Sequence, residues 1–213
     1  MRGLFHHRGK TSELSSEAWL QTTISYNFSG VIFDCDGTLV ESSKAHFRCM
    51  QAAAADQGYD LSLPWYQSRT GLDRATLFRV FAENLNGKFD IARACRVSID
   101  AYAGFSEYVE PIPPSIALLL DLQSRLPVAV ATNAERNIAE ISLSKVKIAG
   151  KVDTLVSISD GVLPKPAPDL FLLAAERLSI DAEGSLVVED SPQGVAAALA
   201  AGMSVIHLQH GCK

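Results

Sequence analysis

The second half of the chain alternates between short apolar runs and helical patterns, and few architectures accept that alternation. Ile116, Leu119 and Leu120 mark a helix, residues 127–132 a strand and residues 136–146 a helix. Residues 154–158 form a short strand, and Leu170, Leu173, Ala174 and Leu178 define the next helix. Residues 185–188, 193–201 and 204–208 then read as strand, helix and strand. Continuously apolar strands are those buried on both faces, and strands joined through helices run parallel with right-handed crossovers. The expected fold is therefore α/β, a Rossmann-like parallel sheet with helices on both faces. Ligands of such sheets bind at the carboxyl ends of the strands.

A further apolar run, Val31-Ile32-Phe33, leads directly into Asp34-Cys35-Asp36-Gly37-Thr38-Leu39-Val40. Side chains alternate along a strand, so Asp34 and Asp36 share a side if the extended conformation outlasts Phe33. Close carboxylates repel unless a cation joins them or one keeps its proton. That division suits one nucleophile and one acid/base, although Asp-Gly alone is equally a common hairpin turn.

The other strand ends carry matching chemistry. Thr132-Asn133 stands where a strand turns into a helix, offering a hydroxyl and free amides to an anion. Glu189-Asp190 ends another strand, with Ser191 as N-cap and Pro192 at the first helical position. Lys165 sits in Leu163-Pro164-Lys165-Pro166-Ala167-Pro168, whose prolines restrict the backbone. Singly, each has an ordinary structural explanation. Together they permit phosphoryl transfer. Asp34, Asp36, Glu189 and Asp190 call for a hard cation such as Mg²⁺. Lys165 offsets further negative charge or holds Asp34 ionised, and Thr132 with backbone amides meets the equatorial oxygens. A carboxylate such as Asp34 can form an aspartyl-phosphate.

Between the first strand and Pro111 the periodicity is helical. Phe47, Met50 and Ala54 recur at helical spacing, as do Leu77, Val80, Phe81 and Leu85, and then Ile91, Cys95, Ile99 and Tyr102. The expectation is a helical bundle over residues 44–109, inserted into a core made of residues 30–43 and 110–213. Pro111-Ile112-Pro113-Pro114 is read as a stiff linker that discourages helix. Within the bundle His46, Arg69 and Arg74 are the polar residues of interest. Arg74 follows Thr70-Gly71-Leu72-Asp73, where Asp73 as a helix cap and Arg74 as a solvated first-turn residue is the plainer reading.

Residues 1–29 are polar and lack the apolar segment of a secretory signal, while Glu13 and Glu17 weigh against a transit peptide. They are expected to be a loosely held extension with exposed His6 and His7. At 213 residues and 47% hydrophobic composition the chain can bury a core of one domain with an insertion. A net charge of −5 gives no footprint for nucleic acid, and no apolar run approaches the roughly 20 residues that span a bilayer. Cys35, Cys49, Cys95 and Cys212 show no paired spacing, so neither disulfides nor zinc is indicated. The expected setting is cytoplasmic, with a small-molecule substrate, no nucleic acid or membrane partner, and a monomer or weak homodimer.

As an ordered set, the run from Phe33 to Val40, Thr132, Lys165-Pro166-Ala167-Pro168, and Val188-Glu189-Asp190-Ser191 with Gly194 and Ala201-Gly202-Met203 resembles the haloacid dehalogenase superfamily. The likeness is to the branch that holds β-phosphoglucomutase and many small sugar-phosphate phosphatases. It implies that Asp34 attacks phosphorus, while Asp36 protonates the leaving oxygen and then activates water. It implies Mg²⁺ held by Asp34, the Asp36 carbonyl and Asp190, with Glu189 assisting, and phosphate bound by Thr132 and Lys165. The helical insertion would be a cap that closes over the site. His46 and Arg74 match cap-side positions of β-phosphoglucomutase; with Asn133 they form the expected substrate-binding set. Ser98 stands where the mutase has a further lysine, and Pro113-Pro114 replaces the family's usual proline-glycine linker. The chain ends soon after its last strand, so the closing helix is expected to be short or absent. The reading is a Mg²⁺-dependent phosphatase of a small phosphorylated metabolite, a sugar phosphate, acting through an aspartyl-phosphate. A β-phosphoglucomutase-type phosphotransferase is the alternative, followed by a non-catalytic metabolite-binding regulator. Dehalogenation has no need of the Glu189-Asp190 end.

Overall fold

A computed structural model describes residues 1–69, 72–85 and 87–209. The elements follow in order as β1 (Arg2–His7), β2 (Lys10–Ser15), α1 (Ser16–Ser25), β3 (Gly30–Phe33), β4 (Val40–Glu41), α2 (Ser43–Ala55), α3 (Leu63–Gln67), α4 (Arg74–Ala82) and α5 (Ile91–Ala101). After these come β5 (Glu110–Pro111), α6 (Pro113–Leu122), β6 (Val128–Thr132), α7 (Arg136–Lys145), β7 (Thr154–Ser157), α8 (Asp169–Leu178), β8 (Ser185–Glu189), α9 (Pro192–Ala200) and β9 (Ser204–Gln209). They form two compact units, Met1–Glu41 with Pro111–Lys213, and Ser42–Glu110.

The first unit holds a seven-stranded sheet in the order β2-β1-β9-β8-β3-β6-β7. Its last five strands are parallel, and β3 lies centrally, with Phe33 opposite Val188 on one side and Val130 on the other. The expected parallel α/β core is therefore present. Every residue of β3, β6 and β8 is buried, which accounts for their unbroken apolar runs. Ile32, Ala131, Val156, Leu170, Phe171, Val187 and Val205 meet in one core cluster. The parallel strands thus bring the residues after Phe33, Thr132 and Glu189 to the same edge of the sheet.

Two expectations need correction. Residues 1–29 are not a loose extension: β1 pairs antiparallel with β9, Phe5 opposite Ile206, and carries β2 on its outer side. An unpaired β9 would present a row of unsatisfied backbone groups, and β1 fills it. Phe5 and Trp19 are buried, the latter on α1, and each such side chain is stabilising by about 2–3 kcal/mol. Pro113-Pro114 is not a linker either but the first turn of α6. Proline at the start of a helix removes only an amide that has no partner there.

The second unit is helical, running Ser42–Glu110 where residues 44–109 were expected. Phe47, Met50, Leu61, Leu77, Phe78 and Phe81 pack in its core. Among the described residues no helix is long and apolar enough to cross a membrane. Cys35, Cys49 and Cys95 are not joined in disulfides, and Cys212 lies outside the described residues.

Candidate active site

Asp34 extends the sheet by one residue, its amide donating to the Val188 carbonyl at 2.9 Å. The chain then turns at once. The amides of Thr38, Leu39 and Val40 all donate to the Cys35 carbonyl, and Gly37 adopts φ 88°. The extended conformation therefore ends before Asp36, which lies half-buried in the turn. One carboxylate oxygen from each of Asp34, Glu189 and Asp190 falls within 4.8 Å of the others.

The Lys165 ammonium sits among these acids, 2.5 Å from Asp34 Oδ1 and 2.7 Å from Glu189 Oε2. The side chains are 3%, 9% and 1% exposed, respectively, so the charges face one another out of water. The ammonium also lies 4.6 Å from the centre of the Phe171 ring, a favourable cation–π placement. Glu189 Oε1 accepts from the amides of Asp190 and Ser191 at 2.9 Å each and from the Ser191 hydroxyl at 3.0 Å. Ser191 in turn caps α9 by accepting the Gly194 amide at 3.0 Å. Both Glu189 oxygens are thus engaged by the protein itself. Asp190 Oδ1 accepts the Thr38 hydroxyl at 3.0 Å.

Two glycines make room for these acids. A Cβ at Gly37 would collide with the Asp190 carboxylate, and one at Gly194 with that of Glu189. The positive φ of Gly37 independently disfavours any other residue.

Charge is unbalanced in this site, with three carboxylates facing one ammonium. Burial pushes the Asp34 carboxyl well above its usual range, the Glu189 and Asp190 charges push it further, and Lys165 only partly opposes them. Burial would lower the Lys165 ammonium, but the Asp34 and Glu189 carboxylates outweigh it and hold the group above its ordinary value. A hard divalent cation fits this excess of oxygen donors and negative charge. Burial, reinforced by Asp36 and Asp34, pushes the adjacent Cys35 thiol well up, so Cys35 is no nucleophile.

The remaining expected residues fall into two groups. Buried Thr132 accepts the Ala134 amide at 3.0 Å, forming the turn that leads into α7. Asn133 faces the Lys165 loop: its Oδ1 accepts the Lys165 amide at 2.8 Å and its Nδ2 donates to the Lys165 carbonyl at 3.3 Å. The amide expected to meet substrate is thus used on both sides by the backbone. His46 and Arg74 belong to the helical unit. The His46 ring lies 5.0 Å from that of Tyr102, and Arg74 donates to the Ser98 hydroxyl at 3.0 Å. Asp73 caps α4 by accepting the Thr76 amide, as its position suggests, while Thr70 and Gly71 lie outside the described residues. Sequence reasoning missed the roles of Thr38, Phe171 and the Ser191 hydroxyl. For Ser191 the signal was available, because a hydroxyl two residues after an acid and capping a helix is placed to bond both.

Comparison with known proteins gives a concordant picture. The haloacid dehalogenase-like hydrolase family model matches residues 31–208, beginning after β1, β2 and α1. Fructose-1-phosphate phosphatase YqaB of Escherichia coli is 27% identical over 183 residues, covering 85% of this chain and 97% of its own. Protein CbbY of Rhodobacter capsulatus is 34% identical over 197 residues, covering 83% of either chain. Among solved structures, CbbY from Rhodobacter sphaeroides in complex with phosphate has a TM-score of 0.76 at 23% identity over 84% of both chains, a likeness of fold.

Proposed function

This chain belongs to the haloacid dehalogenase-like hydrolase family, and on that premise we propose that it is a Mg²⁺-dependent phosphatase of a sugar phosphate, working through an aspartyl-phosphate. The observation that carries the reading is the buried Lys165 ammonium bridging Asp34 and Glu189 at the carboxyl ends of β3 and β8. Lys165 works against the upward push on the Asp34 carboxyl and so favours its carboxylate form, which can act as a nucleophile. The likeness to a fructose-1-phosphate phosphatase over most of the chain supports a sugar monophosphate as substrate.

In this reading Asp34 attacks phosphorus, the bond to the sugar oxygen breaks, and Asp36 donates its proton to that oxygen. Asp36 then takes a proton from water as the water oxygen attacks phosphorus. The acyl-phosphate bond breaks, releasing phosphate and restoring Asp34. Thr132 and Lys165 bind the equatorial oxygens, on which charge is spread in the transition state. Asp34, Asp190 and the Asp36 carbonyl would hold Mg²⁺, which supplies positive charge against the phosphate when bound. Glu189, with both oxygens already hydrogen-bonded, serves by orienting Lys165 and the Ser191 turn. His46 and Arg74 are our candidates for recognising the rest of the substrate.

The test is phosphate release from a panel of sugar phosphates, phosphoglycolate and nucleotides, with Mg²⁺ or with chelator. We expect Mg²⁺-dependent release from a sugar monophosphate, reduced by about 10³-fold or more in Asp34→Asn. Conversion of β-glucose 1-phosphate to glucose 6-phosphate without phosphate release would replace the phosphatase with a mutase.

A further inference from the structure

We infer that Asn133 is a positioning residue that clamps the Lys165 loop, serving the reaction through the Lys165 ammonium and not by touching substrate. The inference rests on the catalytic role proposed above for Lys165.

The loop is short of ways to hold itself. Between Pro164 and Pro168 only Lys165 and Ala167 carry an amide proton. The Ala167 amide closes a local turn onto the Pro164 carbonyl at 3.0 Å. That bond ties the loop to itself and to nothing else. The Lys165 amide and carbonyl both go to the side chain of Asn133, 32 residues earlier in the chain. A primary amide that accepts from the N–H and donates to the C=O of one residue imitates the exchange between neighbouring strands, and it fixes orientation as well as distance. Asn133 itself follows Thr132 at the end of β6, next to the strand that bears Asp34. The clamp therefore refers the Lys165 backbone to the rigid sheet.

The consequence lies at the far end of the side chain. The ammonium has to reach Asp34 and Glu189 together while lying over Phe171. A loop free to shift by about 1 Å would lose that geometry, and misplacements of this size cost on the order of 10²-fold in rate. Both ends of the Asn133 amide are committed to the Lys165 backbone, leaving only its second N–H and a second lone pair for any other partner. A clamp that acts through Lys165 is therefore expected to affect the chemical step more than substrate affinity.

Three measurements separate the alternatives. Amide exchange is read on the segment 162–169, where prolines leave few amides and the Lys165 signal stands out. Asn133→Ala should speed exchange there by about tenfold or more, and Asn133→Asp, which keeps the acceptor for the Lys165 amide, should restore slow exchange. In kinetics with the substrate found by the panel, Asn133→Ala should lower kcat by about 10- to 100-fold with KM changed less than about twofold. In a double-mutant cycle, adding Asn133→Ala to Lys165→Met should cost less than about twofold more, because the clamp has nothing left to place. Unchanged exchange, a raised KM at unaltered kcat, or full additivity would each overturn the inference. A Lys165→Met enzyme with wild-type kcat would instead refute the reading of Lys165, and the functional half of the inference with it. The exchange result decides the structural half without any substrate.

Discussion

Glu189 and Gly194 are five residues apart, and each requires the other. The Glu189 carboxylate occupies the volume where any side chain at position 194 would begin, and from there it reaches the Lys165 ammonium, two backbone amides and the Ser191 hydroxyl. A methyl group at 194 would force the carboxylate away from partners that are themselves buried, and separating a buried ion pair costs about 3–5 kcal/mol. Gly194→Ala is therefore expected to destabilise the protein by roughly 2–4 kcal/mol, since some relaxation occurs, and to lower kcat through the displaced Lys165. Gly150 offers the control, because a Cβ there meets nothing within 4 Å and its φ is ordinary. Urea unfolding should show Gly150→Ala close to wild type and Gly194→Ala far below it; equal stabilities would refute the steric argument. The acids themselves were legible from their places at strand ends. The crowding around them was not, because it depends on a carboxylate folding back over a helix start.

At the scale of elements, the ends of β7, α7 and α8 are tied together by Asp160. Its carboxylate accepts from Arg136 at the start of α7 at 2.8 and 2.9 Å, from Arg177 in the last turn of α8 at 2.7 Å, and from the Ser157 amide at 2.8 Å. Both arginines also donate to the Leu155 carbonyl at 3.0 Å. Burial would raise this carboxyl, but the hydrogen bonds from Arg177, Ser157 and Arg136 hold it down at about 2. An unfolded aspartate titrates near 3.9, so the folded value is depressed. The stabilisation is then complete above roughly pH 4 and is lost as pH falls toward about 2. Both arginines are about one-third exposed, so solvent screening reduces the effect, and Asp160→Asn should cost about 1–2 kcal/mol at pH 7. Unfolding midpoints of wild type and mutant at pH 7, 4 and 2.5 should converge at the lowest pH. A gap that stays constant would mean that packing, not charge, is responsible. Local pattern announced the three elements joined here, since each carries its own apolar period. The tie among them spans 17 and 24 residues and leaves no trace in any one stretch.

For the whole molecule, the question is where the cooperative sheet begins. A parallel core of β9, β8, β3, β6 and β7 was readable because β3, β6 and β8 are buried throughout and β9 and β7 in part, so that they read as apolar runs. β1 was not readable, because only Gly3 and Phe5 along it are buried, and β2 has no buried residue at all. A half-exposed edge hairpin looks like a polar tail until its partner strand is known. Phe5 nevertheless packs edge-on against Tyr26 and Phe28, with ring centres 5.0 and 6.4 Å apart, and is buried. Truncating such a ring typically costs about 3–5 kcal/mol. The two tryptophans allow a clean reading, since fully buried Trp19 lies in the sheet unit and half-buried Trp65 in the helical unit. In a Trp65→Phe background, fluorescence reports on the sheet unit alone. If residues 1–29 fold as part of the sheet, Phe5→Ala will lower the denaturant midpoint of that single transition by an amount equivalent to about 3 kcal/mol or more. A loosely attached segment would instead leave the main transition in place and show, at most, a separate early change in Trp19. The separate change would put the edge of the cooperative unit at β9, outside which β1 and β2 would be an independently fraying addition to the core, residues 31–208, that the family model matches.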